Sequence, residues 1–263
     1  MSNIHFIFDK FTLLKIANLT DEPIGEVKLK VRHLGRQEAK KARDYIKYCD
    51  LVSPEAAGKS REDAEKFEEE WSKILRMSRS EFRRKYDLGR DGKVGFNLQL
   101  QEDIHYNKKP IYLLERFNPK DSQLVKGMEE MYYGTKYTKQ TLDGAISGEP
   151  RSVVALRDRL FSLLSSLDLR DRQIGEILNT SESEIRRRFV ELSGKQDIKV
   201  VALIGRWHFP ELHSSVRTQV FNLYEYDLPY DLLIRRLYPF GNWQNPTDED
   251  VKEFANLILN GKD

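Results

Sequence analysis

Several groups of side chains have the types and spacing to do chemistry. Arg186 and Arg187 stand side by side, shortly after Ser181, Glu182 and Ser183. A guanidinium presented from such a segment can pair two-pronged with guanine or clamp a phosphate. Arg206 and His213 have six residues between them, a cation and an imidazole that together can polarise a phosphate and accept a proton near neutral pH. Lys28, Lys30, Arg32, Arg36, Lys40, Lys41, Arg43 and Lys47 form the most one-sided charge cluster, opposed only by Glu38 and Asp44. Presented together they would track a phosphate backbone; presented singly they are a solvated strand edge that discourages aggregation. Tyr132, Tyr133 and Tyr137 alternate with Lys126, Lys136 and Lys139, an arrangement that stacks the bases of a single strand or simply packs a domain junction with the hydroxyls wet.

Composition limits what these groups can serve. The 263 residues are 39% hydrophobic, 33% charged and 11% aromatic, which describes a globular protein with a heavily charged surface. No run reaches the roughly 18 apolar residues that cross a bilayer, and Met1–Phe8 has no signal-peptide form, so no membrane partner is expected. The single cysteine, Cys49, excludes a disulfide framework and a thiolate metal site, and a cytoplasmic setting is expected. His5, Asp9, His33 and His105 lack metal-ligand spacing, and Gly89–Lys93 lacks the glycine spacing of a phosphate loop. No catalytic set, metal or cofactor is therefore assigned. The formal net charge is +2, so any affinity for nucleic acid must come from local patches.

The elements that would position these residues divide at about 120. Ile4–Phe8 has strand length, and Val27, Leu29 and Val31 alternate with Lys28, Lys30 and Arg32. Arg36–Asp50 reads as a helix and Arg61–Tyr86 as one long helix, acidic first and basic later. Val94–Gln101 alternates and Ile111–Leu114 can return beside it as a hairpin. Beyond 121 strand signals fade and helices are expected near 121–133, 150–166, 170–178, 182–192, 212–226, 229–238 and 247–259, the last capped by Thr247. The expected fold class is α+β and predominantly helical: a mixed domain over 1–120 with short antiparallel strands, then an all-α domain over 121–263 containing a helix-turn-helix at 170–192.

In that last segment Ile174 and Leu178 share one face, as do Ile185, Phe189 and Leu192. Gly175 gives room for a close crossing, Asn179 tolerates a turn, and Ser181 with Glu184 makes a capping box. Ile174-Gly175-Glu176-Ile177-Leu178, then Ser181-Glu182-Ser183 and Ile185-Arg186-Arg187, resembles the promoter-reading C-terminal helix-turn-helix of bacterial sigma factors. That resemblance implies a second helix in the major groove, with Glu182, Ser183, Arg186 and Arg187 near base edges.

These features favour a non-enzymatic nucleic-acid-binding protein, a DNA-binding transcriptional or mobile-element regulator. Its contacts would be Ser181, Glu182, Ser183, Arg186 and Arg187, with Lys28, Lys30, Arg32, Lys40 and Lys41. Duplex DNA is the favoured partner. Balanced charge around 151–199 leaves a second reading open, an adaptor in a larger assembly whose helical module docks protein. A third follows from Arg206 and His213, whose spacing resembles the Arg-to-His motif of helical HEPN-type ribonucleases.

Overall fold

The computed structural model describes residues 4–11, 40, 42–54, 60–86, 96–114, 138–205, 207–222 and 229–260. Lys28, Lys30, Arg32, Lys41, Arg206, the helix expected at 121–133 and the Tyr132, Tyr133 and Tyr137 set lie outside these residues. The chain divides into two compact units, one made of 1–13, 29–118 and 173–224, the other of 14–28, 119–172 and 225–263. Near the boundary expected at 120 the chain passes into the second unit, but 173–224 return to the first.

In the first unit Ile198–Gly205 is apolar at almost every position and forms strand β3 of a four-stranded sheet. Its partners are β1 (Ile4–Phe11), β2 (Leu51–Pro54) and β4 (Arg217–Asn222), in the order β2-β3-β1-β4. Every pairing is parallel, with Phe6 opposite Val200 and Thr218, and Val52 opposite Val201. The expected antiparallel strands are therefore corrected to a parallel sheet, and half of it comes from the region expected to be all helical. A parallel strand covered on both faces needs apolar side chains on both, so it shows no alternation and is easily passed over.

Two apolar layers cover the sheet. On one face Val52, Val201 and Leu203 pack with Ala42 and Ile46 of helix α1 (42–48) and with Ala64, Trp71, Phe82, Leu100 and Ile104. These last belong to α2 (Arg61–Ile74), α3 (Arg79–Lys85) and α4 (Phe96–Tyr106). On the other face Leu51, Ile198, Val200, Ala202 and Ile204 pack with Ile174, Leu178, Ile185 and Phe189.

Two further expectations in this unit are corrected. The helix expected over 61–86 breaks after Ile74, because Ser78 caps α3: its hydroxyl accepts from the Glu81 amide and its own amide donates to the Glu81 carboxylate at 2.7 Å. The Ser78 hydroxyl, which also donates to the Glu81 carboxylate at 2.7 Å, and the Ser78 amide together hold the Glu81 carboxyl below its usual range. The hairpin expected at 94–114 is absent, since 96–106 is helical. It buries Leu100 and Ile104, four apart, together with Asp103 and His105, and no β-branched residue occurs between Phe96 and Asp103. Ile111 bridges Val52, and Tyr112 donates its amide to the Val52 carbonyl.

The second unit is helical among its described residues. Helix α5 (Lys139–Ser147) ends at Gly148, whose φ of 84° is the left-handed conformation that suits glycine. Pro150 then opens α6 (Pro150–Arg188), a single helix of 39 residues. Its residues to Arg172 belong to this unit, where Val153, Leu156, Leu160, Leu163, Leu164 and Leu167 are buried. Helices α7 (Pro229–Leu237) and α8 (Asp248–Asn260) complete the unit, with α8 packed on both α5 and α7. Thr247 caps α8 as expected, exchanging hydrogen bonds with Asp250. Among the described residues no helix is long and apolar enough to cross a membrane.

Candidate functional site

The helix-turn-helix expected at 170–192 does not form: Asn179, Thr180 and Ser181 lie inside α6. The buried positions explain why. Ile174, Leu178, Ser181, Ile185 and Phe189 follow one another at steps of four, three, four and four, one unbroken stripe at helical period. A turn would have thrown the second half out of phase with the sheet it covers. Ser181 is accordingly no N-cap; its hydroxyl donates back to the Leu178 carbonyl at 3.1 Å.

The other residues expected to read DNA are redistributed by this. Arg186 donates to Glu182 at 3.3 Å and to the carbonyls of Leu192, Ser193, Lys195 and Gln196, the shortest at 2.7 Å to Lys195. It is a brace for the loop that leads into β3. Next to that loop the Lys195 ammonium pairs with Asp50 at 2.5 Å, and Asp50 also accepts the Lys199 amide. Ser183, Arg187 and Lys40 are exposed, and Glu182 is half-buried against Arg186. Arg188 turns inward, 2.5 Å from the buried Glu68 carboxylate. The amino ends of β2 and β3 are thus locked by ion pairs and carbonyl contacts.

The carboxyl ends of the strands are built differently. β1 and β3 are neighbours, with Phe11 opposite Gly205 at their ends. After β1 the chain reaches α1 on one face of the sheet before returning in β2. After β3 it turns through Trp207 and His208 to a 3-10 turn (Pro210–His213) and on to β4, and Val216 packs in the layer of the opposite face. Adjacent parallel strands whose connections run over opposite faces are where open α/β sheets seat ligands; the residues that directly follow each of the four strands lie outside the described ones. The first imidazole after β3 belongs to His208, which is 1% exposed beside the buried Trp207 and Pro210. Its amide donates to the Gly205 carbonyl at 3.1 Å, which starts the turn.

No family model, curated protein or solved structure matches the chain. The site is therefore read from its own geometry.

The far end of the β3–β4 connection rests on α6. Asn179 donates from Nδ2 to the His213 carbonyl at 3.2 Å. Its Oδ1 accepts from the Ser215 amide at 2.7 Å and from the hydroxyls of Ser215 and Ser214. One turn earlier Gly175 lets the backbone in: a Cβ there would stand 2.5 Å from the His213 Cβ and 2.7 Å from its carbonyl oxygen. The glycine that suggested a close helix crossing and the asparagine that suggested a turn are thus used as a dock. Pro210 begins the 3-10 turn in which His213 sits, and Arg206 lies outside the described residues.

Sequence reasoning also passed over His208. The available signal was the run Ile198–Gly205 ending in glycine and followed by Trp207-His208: a buried parallel strand running out into polar chemistry. No cluster of three metal-ligating side chains occurs among the described residues.

Proposed function

We propose that the first unit binds a small polar ligand in the crevice at the carboxyl ends of β1 and β3, and that His208 is the side chain that acts on it. The observation that carries the reading is that α1, which precedes β2, packs on one face of the parallel sheet while Val216, which precedes β4, packs in the layer of the other, the arrangement in which open α/β sheets seat ligands. An imidazole there can donate or accept a hydrogen bond and move a proton near neutral pH. Its burial removes competing water, which strengthens each polar contact to a bound group. Of the residues expected to contact duplex DNA, only Ser183, Arg187 and Lys40 are exposed among the described ones, so the geometry favours the crevice over a DNA-reading surface.

Thermal melts of the parent and of His208→Ala test the reading against nucleoside mono- and diphosphates, sugar phosphates and dicarboxylates. At least one compound raises the parent's melting temperature and leaves the variant's unchanged. If every stabilising compound acts equally on both, or none stabilises the parent, the crevice is not the site.

A second reading, docking of a protein partner by the second unit, is favoured by one observation. Phe240 is 77% exposed, Val154 52% and Leu232 50%, more apolar surface than a charged helical unit usually leaves in water. Co-purification with a stoichiometric partner that is lost on Phe240→Ser/Leu232→Ser would support it.

A further inference from the structure

We infer that the exposed flank of α4 around Tyr106, with Arg43 of α1 and Arg79 and Arg83 of α3, binds single-stranded nucleic acid: the guanidiniums take phosphates and the Tyr106 ring takes a base. This surface goes beyond the ligand site proposed above and does not depend on it. Arg43 and Lys47 are four apart on α1, Arg79 and Arg83 on α3, and Glu102 and Tyr106 on α4, so each pair shares one face of its helix. Ion pairs bring these faces together. Arg43 reaches Asp103 at 3.0 Å, and Arg79 and Arg83 reach Glu102 at 3.0 and 2.7 Å.

Two features separate this cluster from ordinary surface pairing. The first is a surplus of positive charge. Arg79 and Arg83 donate to the same oxygen of Glu102, so two guanidiniums share one carboxylate. Asp44, the exposed carboxylate of α1, stands beside Arg43 in the sequence, but with Lys47 the cluster stays net positive. The second is where the charges lie. Glu102 and Asp103 are recessed, 12% exposed each, whereas Arg79 and Arg43 are 55% and 48% exposed. The carboxylates thus hold the guanidiniums from below and leave N–H groups of each five-donor fork for a phosphate.

Tyr106 and Tyr48 are the exposed aromatic residues of the first unit among the described ones, and each has a cation over its ring: Arg79 at 4.8 Å from the Tyr106 centroid and Lys47 at 5.2 Å from that of Tyr48. Burial does not account for either ring. The loop after α4 is fixed beside them, because Lys108 donates to the Leu75 and Met77 carbonyls and Lys109 to that of Cys49. Open rings next to held guanidiniums match phosphates alternating with unpaired bases, which stack on aromatic side chains. In a duplex the base faces are already stacked, and these rings would be idle.

Fluorescence anisotropy of the full chain tests this with labelled oligouridine, oligothymidine and a mixed duplex, each about twelve nucleotides long, at low and moderate salt. The parent binds single strands more tightly than the duplex, and the tighter of the two single strands shows whether the 2′-hydroxyl is read. Tyr106→Ala weakens single-strand binding about tenfold or more, and Tyr106→Phe stays within about threefold of the parent. Arg43→Gln/Arg79→Gln weakens it and lowers the log–log salt slope by about 1.4, the value for two phosphate contacts on a single strand. Arg187→Gln removes an exposed arginine from the helix that covers the other face of the sheet, and its affinity stays within about twofold of the parent's. Melts establish that each variant is folded; if Tyr106→Ala is not, Tyr106→Leu takes its place. No single-strand binding below about 100 μM at low salt, duplex binding as tight as single-strand binding, or unchanged affinity in the folded ring variant overturns the inference. Equal losses in Arg187→Gln and Arg43→Gln/Arg79→Gln also overturn it, since they would reveal general attraction to a polyanion.

Discussion

Replacing Arg188 gives the sharpest test of how the first unit is held together. Glu68 lies on α2 with 4% of its surface exposed. One carboxylate oxygen accepts the Leu113 amide at 2.7 Å, and the other is 2.5 Å from the Arg188 guanidinium. The same guanidinium is 3.5 Å from Glu65 and 3.7 Å from Glu184, two carboxylates that also pair with Arg61, so Arg188 is the cation closest to Glu68 among the described residues. In Arg188→Ala the Glu68 charge stays buried without its partner, and Glu65 and Glu184 remain close to it. Breaking a buried pair from one side costs about 3–5 kcal/mol. At roughly 2–4 °C per kcal/mol for a unit of this size, the melting temperature falls by about 10 °C. Arg188→Met/Glu68→Gln removes both charges while keeping an acceptor for Leu113, and it recovers most of the loss. Thermal and urea melts followed by circular dichroism measure all three proteins. A loss below about 1 kcal/mol in Arg188→Ala would mean the pair behaves as a solvated surface bridge, and the account of the α2–α6 junction would be wrong.

Three further outcomes follow from titratable and buried groups. Burial pushes the Cys49 thiol from 9.0 up to about 11, so it resists iodoacetamide at pH 8 until the protein unfolds. Because the folded value is the higher one, the thiol's contribution is complete below pH 9.0 and is lost towards pH 11, and Cys49→Ala flattens the alkaline limb of a stability profile. Burial and the nearby Lys108 charge hold the His105 imidazole below its usual 6.5, in keeping with its stacking on Phe82 at 4.3 Å. The fold keeps this ring neutral, so stability falls as the pH drops below 6.5. Urea melts of His105→Phe lose less on acidification; an equal loss would exonerate this histidine. In the second unit Tyr238 donates to the buried Asp171 carboxylate at 2.5 Å. Tyr238→Phe strips that acceptor of a charge-assisted bond and costs about 2 kcal/mol in chemical denaturation, and no measurable change would mean Asp171 is satisfied without it.

Much of the local structure was legible in residue types. The strand at Ile4, a helix after Arg36, the broad helical content beyond 138 and the Thr247 cap follow from periodicity and capping chemistry, which act over a turn or two of chain. The phase of Ile174, Leu178, Ser181, Ile185 and Phe189 also carried the continuity of α6, although Asn179 and the Ser181–Glu184 pair read locally as a turn. Local capping signals lose there to a stripe that a whole sheet face buries.

What the sequence by itself determined is which stretches are apolar, at what period, and where charge balances charge. What only the tertiary structure decided is what each polar group faces. Arg186 and Arg188, two apart in the sequence, serve a loop of carbonyls and a buried carboxylate. Gly175 and Asn179 receive a connection from some 35 residues further along the chain. Strands from both ends of the first unit's sequence lie side by side, and this sets Phe11 at the end of β1 opposite Gly205 at the end of β3. The physical reason is range: helix period and caps are fixed by neighbours within a few residues, whereas the partner of a charge or an amide depends on which distant segment the burial of apolar area has placed beside it.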